Sequence, residues 1–60
     1  MTATIFTAQE AADYLKISYE HLGVLRRKAA GPPFFNLGWS VRYRKTELDE
    51  WIENRLVRAA

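Results

Sequence analysis

Cysteine is absent from this chain of 60 residues, histidine occurs once, proline twice, and no apolar run approaches the length of a membrane span. Without cysteine there is no disulfide framework and no thiolate zinc site to reinforce the fold, and a reducing, cytoplasmic setting is the expectation. A membrane helix needs about 18 or more apolar residues in succession. The N-terminal stretch MTATIFTAQEAA also lacks the basic region and apolar core of a secretory leader. The single histidine, His21, has no cysteine near it and no metal-ligand spacing around it, and no phosphate-cradling glycine loop or nucleophile setting is present. No catalytic residue, metal or cofactor is therefore expected, and the chain is not read as an enzyme.

A second absence is more informative. Between His21 and Thr46 there is no Asp or Glu, whereas six of the nine basic residues fall there: Arg26, Arg27, Lys28, Arg42, Arg44 and Lys45. A net charge of +2 decides little by itself. The exclusion of all seven acids from the segment decides more, because solubility does not require it and a polyanionic partner does.

Length limits the chain to one domain, residues 1–60, and a domain of this size buries only about 60% of the surface its unfolded chain exposes. Each large apolar residue is then needed for the core. Thr7-Ala8-Gln9-Glu10 has the spacing of a capping box and predicts a helix with Ala11, Ala12 and Leu15 on its buried face. Ile5 or Phe6, just before the cap, can staple against its first turn. Ser18 is a second N-cap candidate, so one helix stops and another starts within about three residues, Ile17 plugging the corner. The second helix runs from Tyr19 to about Ala29 with Leu22 and Leu25 inward. Small Ala11 and Ala12 permit the close crossing of a helix-turn-helix, although an ordinary helical hairpin fits the same pattern.

Gly31-Pro32-Pro33 marks the end of that helix. Phe34–Leu37 and Val41–Arg44 then read as two strands around Gly38-Trp39-Ser40, a connection of hairpin length. A period of two places Val41 and Tyr43 on the core side and turns Arg42 and Arg44 outward, a cationic row. Thr46-Glu47-Leu48-Asp49 caps a third helix whose stripe is Leu48, Trp51, Ile52 and Leu56. Its acids lie early and Arg55 and Arg58 late, as the helix dipole favours. Ala59-Ala60 reads as a frayed tail.

The fold class expected is α+β: a winged helix-turn-helix of three helices, with a two-stranded β-hairpin wing between the second and third. In a helix-turn-helix the start of the second helix faces the major groove. Ser18, Tyr19, Glu20 and His21 become candidate contacts there, with Arg26, Arg27 and Lys28 placed for the backbone and Trp39, Ser40, Arg42, Arg44 and Lys45 contributed by the wing. Glu20 can accept from a cytosine amino group, or simply stabilise the helix start; His21 can donate to purine acceptors or phosphate.

The order of these elements resembles the small winged helix-turn-helix proteins of the MerR-like, excisionase group. TAQEAADYLKIS is similar to that family's first helix and turn, GPPFFNLG to its entry into the wing, and VRYRKTELDEWI to its exit into the last helix. The resemblance implies a second helix that reads the major groove and a wing along the adjacent backbone or minor groove. It implies a sequence-specific double-stranded DNA-binding protein, an excisionase that bends attachment-site DNA to direct excision by a site-specific recombinase (integrase). Cooperative self-association on DNA is a separate expectation, from the roughly 600–1,000 Å² that so small a module buries on DNA. A prophage or plasmid transcriptional regulator needs the same contacts. Two positions depart from the family's habit: Trp39-Ser40 replaces arginines at the wing tip, and Gly23-Val24 replaces a polar or basic pair in the second helix. Trp39 could insert against a sugar edge, pack on a neighbouring protomer or fold back on the hairpin. An exposed apolar patch of Trp39, Gly23 and Val24 would instead mark a small protein-interaction module.

Overall fold

The structure is a computed structural model and describes residues 4–55. Leu56, Arg58 and the Ala59-Ala60 tail, singled out above, lie outside the described residues.

Strand β1 (Ile5–Thr7) leads directly into helix α1 (Ala8–Leu15). Both halves of the capping box form: Thr7 Oγ1 accepts from the Glu10 amide at 3.1 Å, and Glu10 Oε1 accepts from the Thr7 amide at 2.9 Å. Helix α1 stops because Lys16 takes a left-handed conformation, φ 63°. The following amide, Ile17, donates to the Ala12 carbonyl at 3.0 Å. Left-handed backbone is costly for a residue with a side chain, and here it turns the chain within three residues. Ser18 then caps helix α2 (Tyr19–Arg27), its hydroxyl accepting from the His21 amide at 2.9 Å. Helix α1 crosses α2 through Ala11 and Ala12, both fully buried beside Leu22.

Helix α2 ends earlier than the Gly-Pro-Pro signal indicates. Its C-cap is Lys28, and Ala29 adopts φ 55°, so the reversal precedes Gly31. The task of Gly31 is packing: a Cβ there would sit 3.0 Å from Leu25 Cβ.

Strands β2 (Phe35–Leu37) and β3 (Ser40–Arg44) form the hairpin, with Leu37 paired to Ser40 and Phe35 to Arg42. The connection is therefore two residues, Gly38-Trp39, rather than three. Only Gly38 has positive φ (62°), the pattern of a type II′ turn. The unexpected element is β1, which pairs antiparallel with β3, Phe6 opposite Tyr43 and Thr7 opposite Arg42. The sheet has three strands in the order β1-β3-β2, and β3 is its centre.

Helix α3 (Lys45–Arg55) follows β3 without a break. Thr46 thus lies inside its first turn instead of capping it. Leu48 is fully buried, and Trp51 and Ile52 are half-buried. The core is Ala11, Ala12, Leu22, Tyr43 and Leu48, with Phe6, Ala8, Leu15, Ile17 and Val41 packed around it. The fold is α+β, three helices and a small antiparallel sheet whose β2–β3 hairpin is the wing of a winged helix-turn-helix.

Candidate nucleic-acid interface

Helix α2 sorts its residues by direction. At 3.6 residues per turn, Leu22 faces the core, Leu25 and His21 lie to one side of it, and Tyr19, Gly23 and Arg26, spaced i, i+4, i+7, lie to the other. The second side looks at the wing. Between them is a groove of about 400 Å³, floored by Thr7 and Ala8, walled by Tyr19 and Arg26 of α2, and closed by Trp39, Ser40 and Arg42 of the hairpin. Five of the residues expected to contact DNA are thereby brought into one concave surface. The packing of α1 on α2 and the pairing of β1 with β3 hold the two walls in register.

Both cations that line the groove, Arg26 and Arg42, are uncommitted, and Arg27 and Lys28 lie outside its lining. Arg26, Arg27, Lys28 and Arg42 make no ion pair with any described carboxylate; Arg44 and Lys45 pair instead with Glu47 (3.6 Å) and Asp49 (2.9 Å) of α3. The Arg26 guanidinium lies 5.9 Å from the centre of the Phe34 ring, which braces it without neutralising it. Arg42 is half-buried, and its Nη1 donates to the Val41 carbonyl at 3.0 Å. Gly23, on the same side of α2 as Arg26, is buried and does not itself line the groove. A Cβ built on it would meet only the tips of Arg27 (3.5 Å) and Arg26 (4.0 Å). Two guanidinium groups thus fold over the one position of the helix that has no side chain, and the missing Cβ leaves them room to do so.

The remaining candidates are placed differently. Ser18 uses its hydroxyl as the α2 cap. Glu20 is exposed in the first turn of α2. His21 lines a separate groove of about 410 Å³ with Leu25, Trp51 and Arg55, on the side facing α3. Lys45, read as part of the wing, is the first residue of α3, and its ammonium lies 5.8 Å from the Tyr14 ring. It belongs to a cluster in which the Tyr14 hydroxyl donates to Asp49 Oδ1 and Lys45 donates to Oδ2 at 2.9 Å. Hydrogen bonding from Tyr14 and then Lys45 lowers the Asp49 carboxyl below the usual carboxylate range, while Asp49 raises the Tyr14 phenol and the Lys45 ammonium.

The outward face of the sheet is not purely cationic. Val41 and Tyr43 do face inward, but Ile5, Phe35 and Leu37 share the outer face with Arg42 and Arg44, whose guanidinium lies 5.2 Å from the Phe35 ring centre. Trp39 is fully exposed at 102%, so it does not fold back on the hairpin. Gly23 is buried and Val24 half-buried, so the exposed apolar patch of Trp39, Gly23 and Val24 does not form. The groove floor is the part that sequence reasoning missed. Thr7 and Ala8 announce a helix cap, and only the β1–β3 pairing carries them to the wing.

Among the described residues no helix is long and apolar enough to cross a membrane, and no group of three or more His, Cys, Asp or Glu side chains could hold a metal ion. Residues 5–56 match the family model described as a helix-turn-helix domain. Neither the curated proteins nor the solved structures contain a match. The family match extends over nearly the whole chain and over every element that builds the groove, and the chain belongs to the helix-turn-helix domain family, as a DNA-binding protein.

Proposed function

We propose that the protein binds double-stranded DNA sequence-specifically as an excisionase-like architectural factor. Helix α2 enters the major groove, one phosphate strand lies in the groove between α2 and the wing, and the bound DNA is shaped for a site-specific recombinase. The carrying observation is that Arg26 and Arg42 line that groove from opposite walls, with no carboxylate bound to either among the described residues. A phosphodiester strand is the ligand that such a channel suits, since it offers a negative charge at each nucleotide along a continuous line. Glu20, exposed beside this surface at the start of α2, is the residue positioned to select a cytosine. The role requires no catalysis by this chain, and it places the protein in the cytoplasm beside its DNA.

A single recognition helix with one wing buries roughly 600–1,000 Å² on DNA, which favours several copies on adjacent sites. Selection of bound duplexes from a random pool, followed by footprinting and an integrase-dependent excision assay, tests the reading. Repeated footprints and a gain in excision are expected. A single site overlapping a promoter, with excision unchanged, would assign the protein to transcriptional regulation of a prophage or plasmid instead.

A further inference from the structure

The wing tip holds an aromatic side chain that the fold does not use. Trp39 is 102% exposed, and the turn it occupies owes its geometry to Gly38, the only residue of the pair with positive φ. Tryptophan is on average a well-buried residue, and at a solvent-facing turn a small polar residue would serve folding and solubility better. Leu37, 56% exposed, stands at the base of the same turn. Behind this apolar tip are Arg42 on its own hairpin and Arg26 across the groove, both free of carboxylate partners among the described residues.

Position decides what such a tip can meet. With α2 in the major groove and a phosphate strand seated between α2 and the wing, the far rim of the groove overhangs the other side of that strand. The other side of a strand that borders the major groove is the minor groove. The rim there is Trp39. A flat, rigid, apolar side chain delivered to that place, with two guanidinium groups behind it in the same groove, has the properties of a wedge. It can enter the edge of a base step, partly unstack it and kink the duplex, the cost of unstacking being offset by wider contact with the bent DNA.

We propose that Trp39 is a DNA-bending wedge, inserted from the minor groove at a base step adjoining the α2 site, and that it rather than the cations sets the bend. The inference rests on the duplex-binding reading above and adds to it the residue and the groove. It also adds a preference: wedges enter most easily at flexible pyrimidine–purine steps, TA or CA/TG, so such a step is expected beneath the wing in selected sites.

The experiment uses the full chain and the duplex recovered by selection. Bend angle is measured by energy transfer between end labels, affinity by fluorescence anisotropy, and insertion by Trp39 emission in a Trp51→Phe background. The unsubstituted protein is expected to bend the duplex by at least about 20° and to have Trp39 emission quenched on binding. Trp39→Ala is expected to lose most of the bend and about tenfold in affinity, the scale of one lost aromatic–base stacking contact. Its thermal midpoint should not move, because the side chain touches nothing in the free protein. Trp39→Phe should recover most of both properties.

An unaltered bend in Trp39→Ala, or Trp39 emission unaffected by duplex, would overturn the wedge while leaving duplex binding intact. Concentration-dependent dimers in the absence of DNA, abolished by Trp39→Ala, would overturn it in favour of a contact between copies. Failure of the unsubstituted protein to bind any duplex would remove the parent reading, a result distinct from the other two.

Discussion

Gly23→Ala should make the protein more stable and a poorer DNA binder. Glycine within a helix costs about 0.8–1.0 kcal/mol relative to alanine, and α2 carries it at its fifth position. The added Cβ would lie 3.5 Å from Arg27 Nη1 and 4.0 Å from Arg26 Nη2, ordinary contact distances to the ends of two flexible side chains, and would touch no backbone. Nearly all of the helix gain should therefore appear, about 0.5–1 kcal/mol, or a rise in Tm of roughly 2–8 °C for a domain of this size. Total stability at 0.05–0.15 kcal/mol per residue is only roughly 3–9 kcal/mol, so the chain forgoes a sizeable fraction by retaining glycine. The compensation is sought on DNA: a methyl group there takes up space into which the Arg26 and Arg27 guanidinium groups fold and restricts their reach to phosphate. About a tenfold loss of duplex affinity, roughly 1.4 kcal/mol, is expected by anisotropy at moderate salt. A lowered Tm would refute the packing argument, and a raised Tm with undiminished affinity would refute the assignment of Gly23 to the interface.

The other glycine next to α2 should behave in the opposite way. Gly31→Ala drives a Cβ to 3.0 Å from Leu25 Cβ and 3.6 Å from its carbonyl carbon, so a loss of about 1–3 kcal/mol is expected in urea unfolding, and a neutral result would contradict the packing described. Tyr43→Phe removes a fully buried hydroxyl without a hydrogen-bond partner among the described residues; stability should hold or rise by about 1 kcal/mol, and a loss of that size would show that the hydroxyl is satisfied. The Asp49 carboxyl is lowered by Tyr14 and Lys45, so its contribution is present at neutral pH and disappears as pH falls through the lowered folded-state value. In Asp49→Asn the decline of the urea midpoint between about pH 5 and pH 2 should be shallower than in the parent protein; parallel curves would exclude that contribution.

The fold was legible wherever local chemistry and tertiary structure agreed. The Thr7 and Ser18 caps, the alternation of Val41 and Tyr43 with Arg42 and Arg44, and the alanine pair that permits the close crossing are encoded within a few residues of sequence. Strand β1 was not legible, because three residues are too few to display a period of two and its strand character comes from pairing with β3, a partner about 37 residues away in sequence. The two left-handed residues, Lys16 and Ala29, were hidden for a related reason. Neither is a glycine, and the surrounding helices impose the conformation.

The site divides along the same line. Clustering of Arg26, Arg27 and Lys28 in sequence guarantees that they end one helix together, and the strand period guarantees an outward Arg42. That Arg44 and Lys45 would be claimed by Glu47 and Asp49 depends on α3 starting immediately after β3, so that i, i+3 and i, i+4 neighbours span the junction. His21 left the group for a geometrical reason, since the helical step from Tyr19 carries it round to the α3 side.

The most direct measurement is the salt dependence of duplex binding by the parent protein and by Arg26→Ala/Arg42→Ala. If the four cations Arg26, Arg27, Lys28 and Arg42, which have no carboxylate partner among the described residues, each engage a phosphate, the slope of log K against log salt should be about −3.6. The double variant should lower its magnitude by about two, to near −1.8. A slope unchanged by removal of both arginines, or no association with duplex at low salt, would contradict a DNA-binding surface built jointly by α2 and the wing.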